Sequence, residues 1–303
     1  MSATSTGTAQ ERADRLADVL VAWYPDNARD LPWRRPGFGA WGVLVSEFML
    51  QQTPVGRVIP MLEEWLTRWP NPADLAAAAP AEAVRRWANL GYPRRALWLH
   101  QAAVEIRDRH DGVVPDDVDD LLALRGIGDY TARAVAVFAY GRRHPVVDTN
   151  TRRVLARALQ GRSQPGPPSR ADLDLMTTIL PEDAARAAVV NAATMELGAT
   201  VCLSRVPRCT RCPAADLCAW RAAGHPDTGD ARRKQAAYEG SDRQARGAVL
   251  RALRHAEGHE LAEDAVCADW PDTAQRSRAL TTLMADGLVE RSDGRLRLPG
   301  ISV

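Results

Sequence analysis

The sequence predicts an all-α protein that ends in a small α+β unit. Apolar residues recur at helical spacing over nearly the whole chain, with few β-branched alternations. Only Leu288 to Leu298 breaks into two strand-like pieces, around Ser292-Asp293-Gly294. A third observation concerns the end of the helical part. Four of the five cysteines fall in 17 residues, in the order Cys202-x6-Cys209-x2-Cys212-x5-Cys218, which points to a shared ligand that pins this segment.

Residues 9–24 read as an amphipathic helix ending near Pro25, followed by a Pro-interrupted turn from Arg29 to Arg34. Trp41 to Thr53 is a second helix, and Thr53-Pro54 reads as N-cap and first-turn proline of a third, which Pro60 should kink. The Ala-rich stretch 75–83 continues into a periodic helix ending at Gly91, and another helix covers roughly 93–109. Helices over 116–123 and 128–140 flank Leu124-Arg125-Gly126-Ile127-Gly128. Asp148 suits the N-cap of a helix over 150–160. Residues 161–170 form a loop, and two more helices lead to the cysteines. From about 222 to 241 Gly, Pro, Asp and Arg mark a linker; beyond it, three short helices and the strand pair outline a winged-helix unit.

A length of 303 residues suits about two ordinary domains, and 46% hydrophobic residues can supply real cores. No apolar run is long enough to span a membrane. The polar N-terminus, MSATSTGTAQERADRL, lacks the basic and apolar regions of a secretory signal, so a cytoplasmic protein is expected. A net charge of +1 excludes a globally basic DNA-coating protein; nucleic-acid contacts must come from local patches or backbone amides. Lysine is nearly absent: Lys234 is the only one.

A reducing compartment disfavours two disulfides among the four cysteines and leaves metal binding. Structural zinc usually takes two close pairs, whereas here one close pair, Cys209 and Cys212, has a single ligand on either side. That spacing leans towards an iron–sulfur cluster in a short loop, with zinc still open. Arg205, Arg208 and Arg211, on a loop stiffened by Pro207 and Pro213, would present positive charge to phosphates. The L-x-G-x-G turn of residues 124–128 places backbone amides at a helix N-terminus, where an anion can be held; an ordinary helix–helix turn reads equally well.

Taken together, this hairpin, Val147-Asp148-Thr149-Asn150 and the cysteine loop resemble the endonuclease III, or helix-hairpin-helix, superfamily of base-excision DNA glycosylases. The segment Ser46-Glu47-Phe48-Met49-Leu50-Gln51-Gln52-Thr53, with Leu31-Pro32-Trp33-Arg34 and Leu90-Gly91-Tyr92, narrows the resemblance to the MutY-type adenine DNA glycosylases, in an actinobacterial-like short form, over about residues 28–222. The resemblance implies an N-terminal helix (1–30) packed with the cluster domain, a six-helix barrel domain with the hairpin (31–145), an iron–sulfur cluster domain (146–225), a linker (226–241) and a winged-helix-like domain (242–303).

The same resemblance implies the chemistry. Glu47 protonates the adenine leaving group, and Asp148 stabilises the positive charge growing on the sugar, with Asn150 and Tyr130 in the catalytic set. The apolar neighbours of Glu47 speak against a surface glutamate, whereas Asp148 can also serve as a plain N-cap. The target base is flipped out of the duplex. Gln52 fills the gap, Leu90 and Tyr92 act at the opposite base, and Gly126 and Gly128 hold the backbone. Trp33, Arg34, Leu50 and Glu196 line the base pocket, where a carboxylate suits adenine's amine; core packing is the plainer reading for Trp33, Leu50 and Leu90. Cys202, Cys209, Cys212 and Cys218 bind a 4Fe-4S cluster, and the implied partner is mismatched or damaged double-stranded DNA, bound by a monomer at the nucleoid.

Relatives that also cleave the strand use a lysine where this chain has Tyr130, so a monofunctional enzyme acting on adenine opposite 8-oxoguanine or guanine is expected. Two departures are mild: Arg125 replaces the usual proline and Thr149 the usual glycine. A third is larger. About 62 residues follow the linker, too few for the family's Nudix-like domain, and all three phenylalanines (Phe38, Phe48, Phe138) lie upstream of the place for its Phe-Ser-His loop. Recognition of 8-oxoguanine is then weakened, or carried by the tail or the core. The alternatives are a thymine-mismatch or oxidised-pyrimidine glycosylase of the superfamily and a non-catalytic iron–sulfur DNA-binding regulator. Cys267, in the tail, is expected as a small buried residue.

Overall fold

The computed structural model describes residues 9–228 and 237–300, so Lys234 and part of the expected linker lie outside the described residues. In chain order the helices are α1 (Ala9–Asn27), α2 (Ala40–Leu50), α3 (Val55–Arg68), α4 (Pro72–Ala77), α5 (Pro80–Trp87), α6 (Arg94–Arg109), α7 (Val118–Leu122), α8 (Asp129–Tyr140), α9 (Thr149–Ala158), α10 (Arg170–Thr178), α11 (Ala184–Thr200), α12 (Ala219–Ala222), α13 (Asp242–His255) and α14 (Thr273–Ala285). Three short strands, β1 (Glu260–Ala262), β2 (Glu290–Ser292) and β3 (Arg295–Arg297), form an antiparallel sheet in the order β1-β3-β2. No helix among the described residues is long and apolar enough to cross a membrane.

The helical prediction holds, with local differences that have physical reasons. Helix α1 runs through Pro25 to Asn27. The lost turn hydrogen bond is offset downstream, where Ala28 N–H donates to the Tyr24 carbonyl at 2.9 Å and Asn27 Nδ2 to the Trp23 carbonyl at 2.9 Å. Helix α2 stops at Leu50, and Pro54 rather than Thr53 caps α3. The Thr53 hydroxyl is spent elsewhere, donating to the Leu90 carbonyl at 3.0 Å. The Ala-rich stretch divides into α4 and α5, each started by a first-turn proline, Pro72 and Pro80. Among the described residues of the tail the helical segments are α13, a single 3-10 turn (Glu257–His259) and α14, and β1 is an additional strand that pairs with β3. Cys267 is partly exposed in a left-handed backbone conformation (φ 51°), not fully buried.

The chain divides into two compact units, Met1–Val43 with Asp116–Leu122 and Ile127–Arg232, and Leu44–Pro115 with Ala123–Gly126 and Arg233–Val303. These bounds cut across the expected 31–145 segment, because the hairpin helices α7 and α8 go with the first unit. The first unit is built on a core in which Leu16 and Leu20 of α1 meet Val154 and Leu155 of α9, Met176 of α10 and Val190 and Leu197 of α11. Cys202 and Cys212 pack against this core. In the second unit α6 packs on α4 and α5, and α13 on α14. Its centre holds Trp65 in edge contact with Trp69 (4.7 Å) and Trp87 (5.4 Å).

Candidate active site

Asp148 stands at the start of α9 as its N-cap. Its Oδ1 accepts from the backbone N–H of Asn150 (2.9 Å) and Thr151 (2.7 Å), and its Oδ2 from Asn150 Nδ2 (2.8 Å). Asn150 is itself held, since its Oδ1 accepts from Arg153 Nη2 at 2.8 Å. Arg153, buried, also donates to the carbonyls of Gly198 (2.6 Å) and Cys202 (2.7 Å). The start of α9 can approach α11 this closely only because position 198 lacks a side chain: a Cβ there would lie 2.6 Å from Asn150 Cβ. A carboxylate held by three donors with a half-exposed face is fixed in orientation and still open to a ligand.

In the same unit Glu196 of α11 is wholly buried (0% exposed) and lies between two arginines. Arg29 donates from Nε at 2.7 Å and Nη2 at 3.0 Å, and Arg34 from Nη2 at 2.8 Å. Burial alone would raise the Glu196 pKa, but the hydrogen bonds from Arg29 and then Arg34 outweigh it and leave the carboxyl below its ordinary range. Arg34 is braced further, with its guanidinium 5.6 Å from the centre of the Tyr24 ring. Both carboxylate oxygens are therefore already accepting, so Glu196 meets a ligand through Arg34 or by releasing one of its partners. Trp33, beside Arg34 in the short turn Pro32–Arg34, is half-buried. Tyr130, half-buried on α8, packs against Ala134, Val137 and Val146.

The second unit carries Glu47 and the residues expected at the DNA stack. From Trp41 to Met49 every residue of α2 is buried, and Glu47 is 5% exposed among them, while Leu50 is half-buried. Gln52 follows in a left-handed conformation (φ 56°) on an exposed turn. On the loop after α5, Ala88, Gly91 and Tyr92 also have positive φ; Leu90 is buried and Tyr92 is 46% exposed. Two tight turns thus each present one polar or aromatic side chain outwards, with backbone strain of about 1–3 kcal/mol at each non-glycine position.

One buried side chain holds both turns in place. Arg95, 3% exposed at the start of α6, donates to the Phe48 carbonyl (2.5 Å), the Gly91 carbonyl (3.0 Å) and Thr53 Oγ1 (3.1 Å). Its guanidinium also faces the Trp87 ring (5.1 Å) and the Tyr92 ring (5.5 Å). Burial pushes its pKa down to about 10, with the Tyr92 hydroxyl opposing, so it stays charged at neutral pH. Trp87 Nε1 adds a hydrogen bond to the Gly91 carbonyl at 2.9 Å.

The hairpin glycines have separate reasons. At Gly126 (φ 80°) a Cβ would lie 2.6 Å from Trp98 Cβ, so this turn must be bare to pack on α6. Gly128, the N-cap of α8, has open space above it, leaving the helix N-terminus accessible to an anion.

Cys202, Cys209, Cys212 and Cys218 line one cavity of about 30 Å³, together with Arg157, Arg208 and Trp220. No three His, Cys, Asp or Glu side chains among the described residues close on a single-ion site; the four thiols instead surround this shared space. Burial, with smaller contributions from the neighbouring thiols, pushes Cys212 up to about 11 and raises Cys218 as well. Arg157, buried beneath the loop, donates to Cys202 Sγ (3.4 Å) and the Leu203 carbonyl (2.7 Å), and lies 4.6 Å from the Trp220 ring centre. Soft donors gathered around one small shared cavity, beside a buried cation, suit an iron–sulfur group. Arg29, Arg95, Arg153 and Arg157 were not among the residues read from the sequence. No motif marks them, because the partners of each include groups distant in the chain.

The model of the HhH-GPD superfamily base excision DNA repair proteins matches residues 45–174. The adenine DNA glycosylase of Mycolicibacterium smegmatis is 54% identical over 282 residues, which cover 93% of this chain and 95% of that one. The adenine DNA glycosylase of Mycobacterium tuberculosis is 52% identical over 284 residues, 93% of this chain and 92% of that one. Among solved structures, a thermostable thymine-DNA glycosylase shares the fold at a TM-score of 0.64 and 23% identity, over 72% of this chain and 100% of that chain.

Proposed function

The chain belongs to the adenine DNA glycosylase family of the HhH-GPD superfamily, and from that premise we propose that it hydrolyses the N-glycosidic bond of adenine mispaired with 8-oxoguanine or guanine in double-stranded DNA. The observation that carries this reading is the burial of Glu47 in an apolar helix, where an acid needs a reason to be. Glu47 gives its proton to the departing adenine as the bond to the sugar breaks. Asp148, oriented by Asn150 and Thr151, faces the positive charge on the sugar. Water adds at the same carbon, its proton passes to a carboxylate, and free adenine and an abasic site result.

The flipped base is met by Trp33 and Arg34, with Glu196 holding Arg34 in place, and Leu50 is the further residue assigned to base binding. Gln52 and Tyr92, exposed on strained turns, enter the opened stack, with Leu90 behind them. Gly126 and Gly128 bring the start of α8 to a backbone phosphate. Tyr130 stands where strand-cleaving relatives have lysine, so the abasic strand stays intact. Cys202, Cys209, Cys212 and Cys218 hold a 4Fe-4S cluster, which when bound cross-links the loop to the core beneath it. The enzyme acts as a monomer in the cytoplasm.

The test is base release from duplexes containing A:8-oxoguanine, A:G, T:G and oxidised pyrimidines. Adenine should be released, and the strand should break only after alkali. Release of thymine in preference to adenine, or strand cleavage without alkali, would overturn the reading. Broad visible absorbance of the purified protein checks the cluster.

A further inference from the structure

The second unit also contains a cavity of about 570 Å³, walled on one side by α13 and on the other by the loop that carries Tyr92. Arg243, Arg246, Gly247, Leu250, Arg251 and Arg254 follow the spacing i, i+3, i+4, i+7, i+8, i+11, a single face of α13, and that face lines the cavity. Arg57 adds a fifth guanidinium, and no acidic side chain lines the space among the described residues.

Arg246 has a carboxylate partner. It shares Asp286 with Arg94 of α6, at 2.6 and 3.0 Å, which ties α13 and α14 to the loop's own helix. Arg254 donates to the Ala88 carbonyl (2.7 Å), and Arg57 to the Asn89 carbonyl. Arg251 is exposed and has no hydrogen-bonded partner among the described residues. Burial, and then the charge of Arg251, lower the Arg254 pKa. Like charges at i, i+3 weaken a helix, so such a stripe in a chain of net charge +1 calls for an anionic ligand.

Two aromatic rings give that ligand a second property. Tyr92 and Tyr238, 46% and 54% exposed, both line the cavity. The Tyr238 hydroxyl lies over α13 where residue 247 has no side chain; a Cβ there would be 3.1 Å from it. A mid-helix glycine costs about 1 kcal/mol relative to alanine, and here it leaves room for the ring. Guanidinium groups beside open aromatic faces match phosphodiesters with flat bases, whereas an acidic peptide would leave the rings unused.

We infer that this cavity, beside the turn that carries Tyr92, is a second DNA site, in which Arg243, Arg251 and Arg254 hold backbone phosphates and Tyr238 stacks a nucleotide. The inference rests on the proposed action on DNA and adds a contact surface made by the C-terminal segment.

The test measures duplex affinity of the full-length protein against salt. Arg251→Ala and Arg243→Ala should each weaken binding on the order of tenfold and lower the slope of log Kd against log salt by about one. Tyr238→Ala should weaken binding on the order of tenfold without changing the slope. Base release at saturating DNA should stay at the wild-type rate in all three. Methylphosphonates, which neutralise chosen phosphates, are then placed in one strand or the other. The difference between wild type and Arg251→Ala should vanish for one strand, which identifies the one bound. Unchanged affinity and slope in both arginine variants would overturn the inference, as would a wild-type advantage that survives neutralisation of either strand. Wild-type protein that binds in this manner but releases no adenine would instead sink the proposed activity and leave the site standing.

Discussion

Two arginine clusters, one in each unit, are held in opposite ways. In the first, the partly exposed Arg29 and Arg34 share the buried carboxylate of Glu196, so charge meets charge, and the carboxyl is drawn below its ordinary range. In the second, Arg95 has carbonyls, a hydroxyl and two aromatic faces around it, and its pKa is pushed down to about 10. A buried ion pair is fixed strongly but fails when one partner is lost. A cation held by neutral dipoles costs more to bury, but it can gather several backbone segments at once. The first arrangement suits a pocket wall, and the second suits a joint between two turns.

Substitutions can break or sharpen this contrast. Glu47→Gln should have the largest effect, lowering base release about 10²–10⁴-fold while DNA binding and the thermal midpoint stay close to wild type. Single-turnover kinetics with a binding assay checks this. Glu196→Gln should act on stability instead, costing about 3 kcal/mol in denaturant unfolding; this is the low end for breaking a buried pair, because Arg29 and Arg34 are 40% and 22% exposed.

The pH dependence should follow the same division. The folded pKa of Glu196 lies below its unfolded value of 4.5, so its contribution is complete above that value and is lost as pH falls through the folded pKa. Acid titration of unfolding should therefore be less steep in Glu196→Gln. Arg95 behaves in the opposite sense: its burial cost is present at neutral pH and eases only as pH rises through about 10. An unchanged acid limb in Glu196→Gln would break the comparison.

Arg95→Met should cost about 1–3 kcal/mol, from carbonyls left unsatisfied, and should weaken DNA binding by loosening both exposed turns. Wild-type affinity in this variant would show that the turns hold themselves. The smallest effect is expected from Gly128→Ala, within about 0.5 kcal/mol, since φ is −103° and nothing lies within 4 Å. Gly126→Ala, where a Cβ meets Trp98, should be clearly less stable, and thermal unfolding of the pair compares them.

Some of the site was legible because it is local. Asp148 caps α9 through residues two and three positions away, so chain order alone brings those groups together. The hairpin glycines and the four cysteines announce themselves by spacing in the same way. Pro25 misled because the bonds that carry α1 past it are made by Ala28 and Asn27, which a local proline rule does not weigh. Strand β1 was missed because its partner, β3, lies 35 residues away and three residues carry too little alternation.

What the sequence by itself determined was the set of groups and their local geometry: a helical chain, a bare turn before α8, an acid among apolar residues and a four-cysteine loop. These depend on contacts within a few residues, where backbone sterics and side-chain period leave few choices. Only the tertiary structure decided which charge each buried group faces. Arg29 reaches Glu196 across 167 positions and Arg95 reaches Phe48 across 47. Arginine looks the same in a sequence whether a carboxylate, a row of carbonyls or an open cavity awaits it, because the cost of burying its charge depends on the partners that folding brings to it.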